Sequence, residues 1–149
     1  MSLRLNTPLP DLSGATEWLN GRPDSTSLAG QAVLVYFWSV SCYLCHENMP
    51  ALAEWRERYG PHGVQFIAIH VPRHEADMDI ERVRALAGEL KLVDPCGVDN
   101  RHALKRSFAS EYVPAYFFFD EGGRLRGRAA GSAGLTLLEQ TLQRHFTTR

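Results

Sequence analysis

The sequence predicts an α/β fold in which a mixed central β-sheet is flanked by helices on both faces. Three short apolar runs, rich in β-branched and aromatic residues, are typical of buried strands: residues 32–38, 63–71 and 115–120. Elsewhere apolar residues recur every three or four positions, as in amphipathic helices. Because helices alternate with the first strands, parallel pairing is expected there, and the turn at Glu121-Gly122-Gly123 adds an antiparallel hairpin.

The remaining elements can be placed by their periodicity and by their turn residues. In chain order we expect a loop-like extension over 1–16, an edge strand within 16–23, a helical turn within 26–31, a helix over 42–59, a helix within 78–90, a short strand at 92–94, a short helix within 100–108, a hairpin strand within 124–131, and a last helix presenting Leu135, Leu138, Leu142 and Phe146.

The 149 residues predict a single domain over 1–149, and a formal net charge of −1 gives no electrostatic case for nucleic acid. Basic residues such as Lys105 are interspersed with acids and are interpreted as solvated. No apolar run approaches the roughly 20 residues of a membrane helix. Residues 1–10 lack the apolar segment of a signal peptide, which favours the cytoplasm, unless Met-Ser-Leu is a cloning remnant that replaces a leader or anchor.

The pair Cys42 and Cys45 forms a C-x-x-C motif where a buried strand gives way to a helix. A helix N-terminus favours negative charge, and the thiolate is the form of cysteine that attacks a disulfide. Cys42 is therefore expected to be an exposed nucleophile, with Cys45, on the inward stripe, as the more buried resolving thiol. His46 lies four residues after Cys42 and can share its helical face, either as a partner of the reactive thiolate or as a solvated side chain.

Other functions are compatible with parts of this pattern. Cys42-Tyr43-Leu44-Cys45-His46 also matches C-x-x-C-H, the attachment motif of c-type haem. Zinc or copper binding is an alternative for the two cysteines with His46 and Cys96. His70 and His74, at a strand end and in the following loop, are interpreted as satisfied or solvated histidines, with metal binding as the alternative. Peroxidase chemistry and a non-catalytic scaffold role remain open as well. Cys96, in a turn-rich stretch, is interpreted as a structural thiol, with a regulatory role as the alternative.

At this point the chain resembles a known group of proteins. The segments "VLVYFWSVSCYLCHENMP", "VQFIAIHV" and "YVPAYFFFDEGGRLRGRAAG" resemble the TlpA/ResA group of thioredoxin-like redoxins. The opening "EWLN" and the segment over 63–87 are similar to the narrower branch formed by the thioredoxin-like domains of DipZ and NHL-repeat proteins.

The resemblance implies a thioredoxin fold and a thiol–disulfide oxidoreductase that acts on protein dithiols and disulfides, as a monomer and without a bound cofactor, within cell redox homeostasis. It implies that Pro114 is a cis-proline beside the cysteine pair and that Val113 offers its backbone to a substrate strand. Trp38 is expected to pack near the pair, with a plain core role as the alternative. Tyr43 and Leu44 are expected to contact the substrate, and because they replace Gly-Pro, both directions of electron flow stay open.

Two positions depart from the pattern of these relatives. Thioredoxins hold a buried Asp where this chain has Tyr36, and ResA-like proteins hold a Glu where it has Asn48. The neighbouring Glu47 points about 100° away on a helix. The proton acceptor for Cys45 is therefore not assigned from the sequence.

Overall fold

The computed structural model describes residues 2–147 and contains a six-stranded β-sheet with helices on both faces. The strands are β1 (Glu17–Leu19), β2 (Val33–Trp38), β3 (Gln65–His70), β4 (Cys96–Val98), β5 (Ala115–Phe119) and β6 (Leu125–Ala130). The α-helices are α1 (Ser25–Leu28), α2 (Tyr43–Tyr59), α3 (Ile80–Glu89), α4 (Ala103–Ser107) and α5 (Gly134–Thr147), and 3₁₀ turns cover Gly60–His62 and Glu75–Met78.

The sheet is mixed, as the sequence predicts. Its strand order is β1-β4-β3-β2-β5-β6. The central pairs β2–β3 and β3–β4 are parallel, whereas β2–β5, β5–β6 and β1–β4 are antiparallel. The predicted edge strand and the predicted late hairpin are both present, so β2 lies near the middle of the sheet with a partner on each side.

Strand β2 is buried on both faces, and its side chains alternate between two apolar clusters. One cluster contains the even-numbered members and packs against α2, α3 and α5, and the other contains the odd-numbered members and packs against α1 and α4. This arrangement explains the unbroken apolar run at 32–38 in the sequence, because a strand covered on both faces has no solvent side.

The prediction of a short strand at 92–94 is wrong, because β4 lies at Cys96–Val98. Its position is set by pairing, with Cys96 beside Ala68 of β3. Gly97 lies against the ring of Trp18, where a Cβ atom would be 3.0 Å from the nearest ring carbon. A three-residue strand centred on glycine has no β-branched pattern, and the sequence therefore gives no local signal for it.

Helix α2 closely follows the prediction for residues 42–59. It begins at Tyr43 with Cys42 as its N-cap, and it continues through Pro50 to Tyr59. The buried members of its stripe are Cys45, Met49, Leu52, Trp55 and Tyr59. No helix within residues 2–147 is both long and apolar enough to cross a membrane.

Candidate active site

Cys42 and Cys45 form a disulfide at the carboxyl end of β2 and the first turn of α2. Their Cα atoms are 5.3 Å apart. The backbone N–H of Cys45 donates a hydrogen bond to the Sγ of Cys42 at 3.1 Å. Cys42 is thus the capping residue of the helix, and its sulfur occupies the place where an N-terminal helix cap normally presents an oxygen acceptor. A negative charge on this sulfur would be stabilised by that donor and by the helix dipole.

The disulfide is more enclosed than the sequence suggests. The expectation of an exposed Cys42 is wrong in this oxidised form, because Cys42 is 4% exposed and Cys45 is 2% exposed. Both belong to the core cluster that also contains Trp38, and the half-buried side chains of Leu44 and Val113 pack against that cluster. The ring of Tyr43, by contrast, is 74% exposed and is available to a partner.

A buried carboxylate fixes the loop that leads from β2 to Cys42. Asp77 accepts hydrogen bonds from the hydroxyls of Ser39 and Ser41, at 3.3 and 2.7 Å, and from the backbone N–H groups of Arg73 and His74. Burial acts to raise the pKa of Asp77, but these hydrogen bonds outweigh it and hold the pKa below its ordinary value. Asp77 therefore remains a carboxylate beneath the active-site loop.

Arg73 places a positive charge on the same loop. Its Nε donates to the Ser41 hydroxyl at 3.1 Å, and a second guanidinium nitrogen donates to the Ser41 carbonyl. Ser41 directly precedes Cys42, so the guanidinium is held close to the cysteine that caps the helix. Opposite charge near a thiol favours the thiolate.

His70, at the end of β3, is fully buried and holds the middle of this loop. Its Nε2 accepts the backbone N–H of Val40 at 3.0 Å, so the neutral ring carries its proton on Nδ1. The Nδ1 atom is buried and has no hydrogen-bond partner among the described residues. Burial lowers the pKa of His70 to about 4, with Asp77 opposing the shift and Arg82 adding to it.

The segment Val113-Pro114 has the conformation that the resemblance implies. The peptide bond between the two residues is cis, and Val113 is half-buried against both core clusters. The Pro114 carbonyl accepts from Gly131, whereas the backbone N–H and C=O of Val113 form no hydrogen bond with another described residue. Tyr112, which precedes Val113, is exposed and adds aromatic surface to this segment.

Trp38 is buried. The sequence predicts that it packs near the cysteine pair, and in the structure it belongs to the same apolar cluster as Cys42 and Cys45. Its closest aromatic partner is the ring of His70, with the two centroids 5.0 Å apart in an edge-to-face arrangement. Trp38 and His70 therefore support the active-site loop from below.

His46 follows Cys45 and lines a cleft of about 360 Å³ beside α2. Its ring centroid is 6.5 Å from that of Tyr43. The Nε2 atom is buried and has no hydrogen-bond partner among the described residues.

The positions where relatives carry carboxylates are occupied by groups that already have partners. The hydroxyl of Tyr36 donates to Asp94 at 2.8 Å, and Arg56 makes two hydrogen bonds to the same carboxylate. Burial, followed by the charge of Asp94, raises the pKa of Tyr36 well above its ordinary value, so this phenol does not accept a proton from a thiol. Asn48 donates to the hydroxyl of Tyr116 at 2.8 Å.

The third cysteine is not part of the pair. Cys96 is a free thiol in β4 with no exposed surface, and burial raises its pKa to about 12. Within residues 2–147, no cluster of three or more His, Cys, Asp or Glu side chains is arranged to hold a metal ion. The four ligands considered for zinc are thus not brought together among the described residues.

Sequence reasoning missed the residues that support Cys42. Asp77 and Arg73 lie some 30 residues after the motif in a loop and a 3₁₀ turn, which have no periodic pattern. For His70 the sequence favours a satisfied or solvated histidine over a metal ligand, but it does not identify Val40 as the hydrogen-bond partner. A usable signal was its position, because a histidine at the end of an otherwise apolar buried strand needs a hydrogen-bond partner.

Comparison with known proteins assigns the family. The model of the AhpC/TSA family matches residues 6–128. The chain belongs to the AhpC/TSA family. The thiol-disulfide oxidoreductase YkuV of Bacillus subtilis is 41% identical over 143 residues, which cover 95% of this chain and 96% of YkuV. Protein DipZ of Mycobacterium tuberculosis is 31% identical over 134 residues, which cover 87% of this chain and 19% of DipZ.

A solved structure of similar length confirms the fold. The chain superimposes with a TM-score of 0.87 on the solution structure of a thioredoxin-like protein in the oxidized form. The two are 39% identical, and the match covers 98% of this chain and 99% of the other. The thioredoxin fold and the membership of the redoxins predicted from the sequence are both confirmed.

Proposed function

We propose that this AhpC/TSA family member is a thiol–disulfide oxidoreductase that exchanges two electrons with protein dithiols and disulfides through Cys42 and Cys45. The observation that carries the proposal is the disulfide itself, at the head of α2 and at the carboxyl end of the central strand. The name of its relative YkuV, which aligns along nearly the whole chain, supports the same activity.

The reaction begins, in the reducing direction, with the Cys42 thiolate attacking one sulfur of the substrate disulfide. A bond forms between Cys42 Sγ and that sulfur, the substrate S–S bond breaks, and the other substrate sulfur leaves as a thiolate. The Cys45 thiolate then attacks Cys42 Sγ, which restores the enzyme disulfide and releases the second substrate sulfur. Two electrons pass from enzyme to substrate, two protons end on the substrate thiols, and the reverse sequence oxidises a dithiol.

Cys42 is the nucleophile in this proposal because it is the residue at the helix cap. The Cys45 N–H, the helix dipole and the Arg73 guanidinium all favour its thiolate. Cys45, one turn into α2 and on its buried stripe, resolves the mixed disulfide. The pair is itself the redox group, and the mechanism needs no other cofactor.

Substrate binding is assigned to the surface around the disulfide. The backbone of Val113, which forms no hydrogen bond with another residue of the described part of the chain, pairs main chain to main chain with an extended substrate segment. The cis bond to Pro114 sets the conformation of Val113 for this pairing. Tyr43 and Leu44 form the opposite side of the contact, and the exposed Tyr43 ring gives apolar area to a partner. Trp38 supports the site through His70.

His46 is proposed to move the proton of Cys45. The hydroxyl of Tyr36 and the amide of Asn48 already donate to neighbours. His46 adjoins the pair, and its Nε2 has no hydrogen-bond partner within residues 2–147. The residue also lines the cleft beside α2.

The activity is tested by following the reduction of a protein disulfide with dithiothreitol as electron donor. Cys42→Ser should abolish the catalysed rate, and Cys96→Ala, which removes the buried thiol, should retain it. A redox titration of the pair then gives the direction of electron flow. A midpoint potential of about −270 mV is typical of a reductant, whereas a midpoint potential of about −120 mV is typical of an oxidant. Full activity of Cys42→Ser would overturn the proposal.

A further inference from the structure

A groove of about 310 Å³ is lined both by the segment that contains Arg73 and by the segment that contains Val113. The guanidinium of Arg73 donates to Ser41, the residue before Cys42. Val113 and exposed Tyr112 also line the groove. A substrate segment that pairs with the backbone of Val113 while its sulfur meets Cys42 therefore has this groove beside it.

The groove has an excess of positive charge. Arg73 and Lys105 both line it, and neither forms an ion pair with another described residue. The lining also contains the carboxylate of Glu111, so the groove has two positive charges and one negative charge. Some arginines elsewhere on the surface, such as Arg58 and Arg84, are paired with carboxylates.

The fold positions the segments that carry the two cations. The backbone N–H of Lys105 donates to the buried Asp99 carboxylate at 2.8 Å, which anchors α4 at the edge of the groove. The Nε2 of His102 lies 3.0 Å from the carbonyl oxygen of Pro72, which accepts its proton, so this ring also has a fixed place in the groove wall. A groove lined by two cations that form no ion pair among residues 2–147, one of them fixed on Ser41, is complementary to a carboxylate on the substrate.

We propose that this groove binds the segment next to the reactive cysteine of the substrate protein and selects an acidic side chain there. The inference rests on the proposed function and names a substrate class within it: disulfides flanked by Asp or Glu. The carboxylate would lie between Arg73 and Lys105, and the ring of Tyr112 would cover the aliphatic part of the segment. Lys105 is a specificity residue in this account and takes no part in the exchange of sulfur bonds.

The test uses disulfide-linked peptides that differ only in whether Glu, Gln or Lys occupies each of three positions on either side of the cysteine. For the wild-type protein, kcat/KM should be about three-fold higher with Glu than with Gln at one of these positions, the size expected for partly exposed charge pairs. The preference should disappear in Lys105→Gln, reverse in Lys105→Glu, and weaken at high salt. For each variant, the preference is expressed as the ratio of kcat/KM for the Glu peptide to that for the Gln peptide, so that a general change in turnover cancels.

Lys91→Gln is the matched control, because Lys91 is the other lysine of the sequence and does not line this groove. It should keep the preference for Glu. An equal kcat/KM for Glu and Gln peptides at every position, or a preference that survives Lys105→Glu, would overturn the groove proposal while the oxidoreductase activity stands. No turnover of any peptide by the wild type would overturn the proposed function, and this inference with it.

Discussion

His70 Nε2 accepts the backbone N–H of Val40 at 3.0 Å, and this hydrogen bond joins the end of β3 to the loop that carries Cys42. The loop is also held by Asp77 through the hydroxyls of Ser39 and Ser41. Every residue between β2 and Cys42 is therefore fixed by a polar side chain from outside the motif. The position of the nucleophile depends on these contacts as well as on the helix that it caps.

The first prediction concerns pH and His70. Burial holds the pKa of His70 at about 4 in the folded protein, against 6.5 for the solvated side chain. Between these values the unfolded chain binds a proton that the folded chain does not. The free energy of unfolding should therefore fall as pH drops from 6.5 towards 4. The contribution of His70 is fully present above pH 6.5, and its loss lowers the free energy of unfolding by up to about 3 kcal/mol.

His70→Gln separates this contribution from other groups. A glutamine oxygen can accept the Val40 N–H but does not titrate, so urea unfolding of this variant should show a flatter pH profile between 6.5 and 4. Asp77 is unchanged in both proteins, and its own loss of stability comes at lower pH because its pKa is depressed. Parallel profiles for the two proteins would show that His70 is not a neutral acceptor.

A second prediction concerns Arg73 and the reactive thiol. Removing the guanidinium on Ser41 with Arg73→Gln should raise the thiol pKa of Cys42 by about half a unit, because the charge is partly exposed and screened. The pKa is read from the pH dependence of alkylation of the reduced protein. Arg84→Gln, at an arginine paired with Glu17 and Glu81, should leave it unchanged. An unaltered pKa in Arg73→Gln would remove Arg73 from the mechanism.

A third prediction tests His46 as the proton-handling group. In His46→Gln, kcat/KM for disulfide reduction should fall by about ten-fold or more, and its pH profile should lose one ionisation that the wild type shows. His62→Gln serves as control, since His62 packs against Phe146 and does not line the cleft beside the pair. If the profile of His46→Gln keeps every ionisation of the wild type, His46 is a bystander.

The fourth prediction concerns the third cysteine. With no exposed surface and a pKa raised to about 12, the thiol of Cys96 should not react with a thiol reagent in the native, reduced protein. Cys42 and Cys45 should titrate first, and Cys96 only after denaturant is added. Cys96→Ala should leave the redox midpoint unchanged. A shift in the midpoint would favour the regulatory role.

The strands and helices with strong patterns were predictable from the sequence, and the short ones were not. Strand β2 and helix α2 show their apolar periodicity directly, which is why the position of the cysteine pair could be inferred. Strand β4 is three residues long and exists because Cys96 pairs with Ala68 and Gly97 fits under Trp18. These are relationships between distant segments, which local pattern does not contain.

The same distinction applies to the site. Cys42, Cys45 and the pair Val113-Pro114 were found because a motif or a resemblance marks them, while Asp77 and Arg73 contact the loop from more than 30 residues away. From the sequence, Tyr36 is notable only because relatives carry an Asp at its position. In the structure its hydroxyl donates to Asp94, 58 residues further along the chain, so a carboxylate from another segment lies beside Tyr36.

The most direct test of the central claim is a mixed-disulfide trap with Cys45→Ser. This variant keeps the nucleophile and lacks the resolving thiol, so incubation with a disulfide substrate should leave a stable covalent adduct. Peptide mass spectrometry should place the substrate sulfur on Cys42, and dithiothreitol should release it. A substrate attached to Cys96, or an adduct that forms equally well in the double variant Cys42→Ser/Cys45→Ser, would contradict the account.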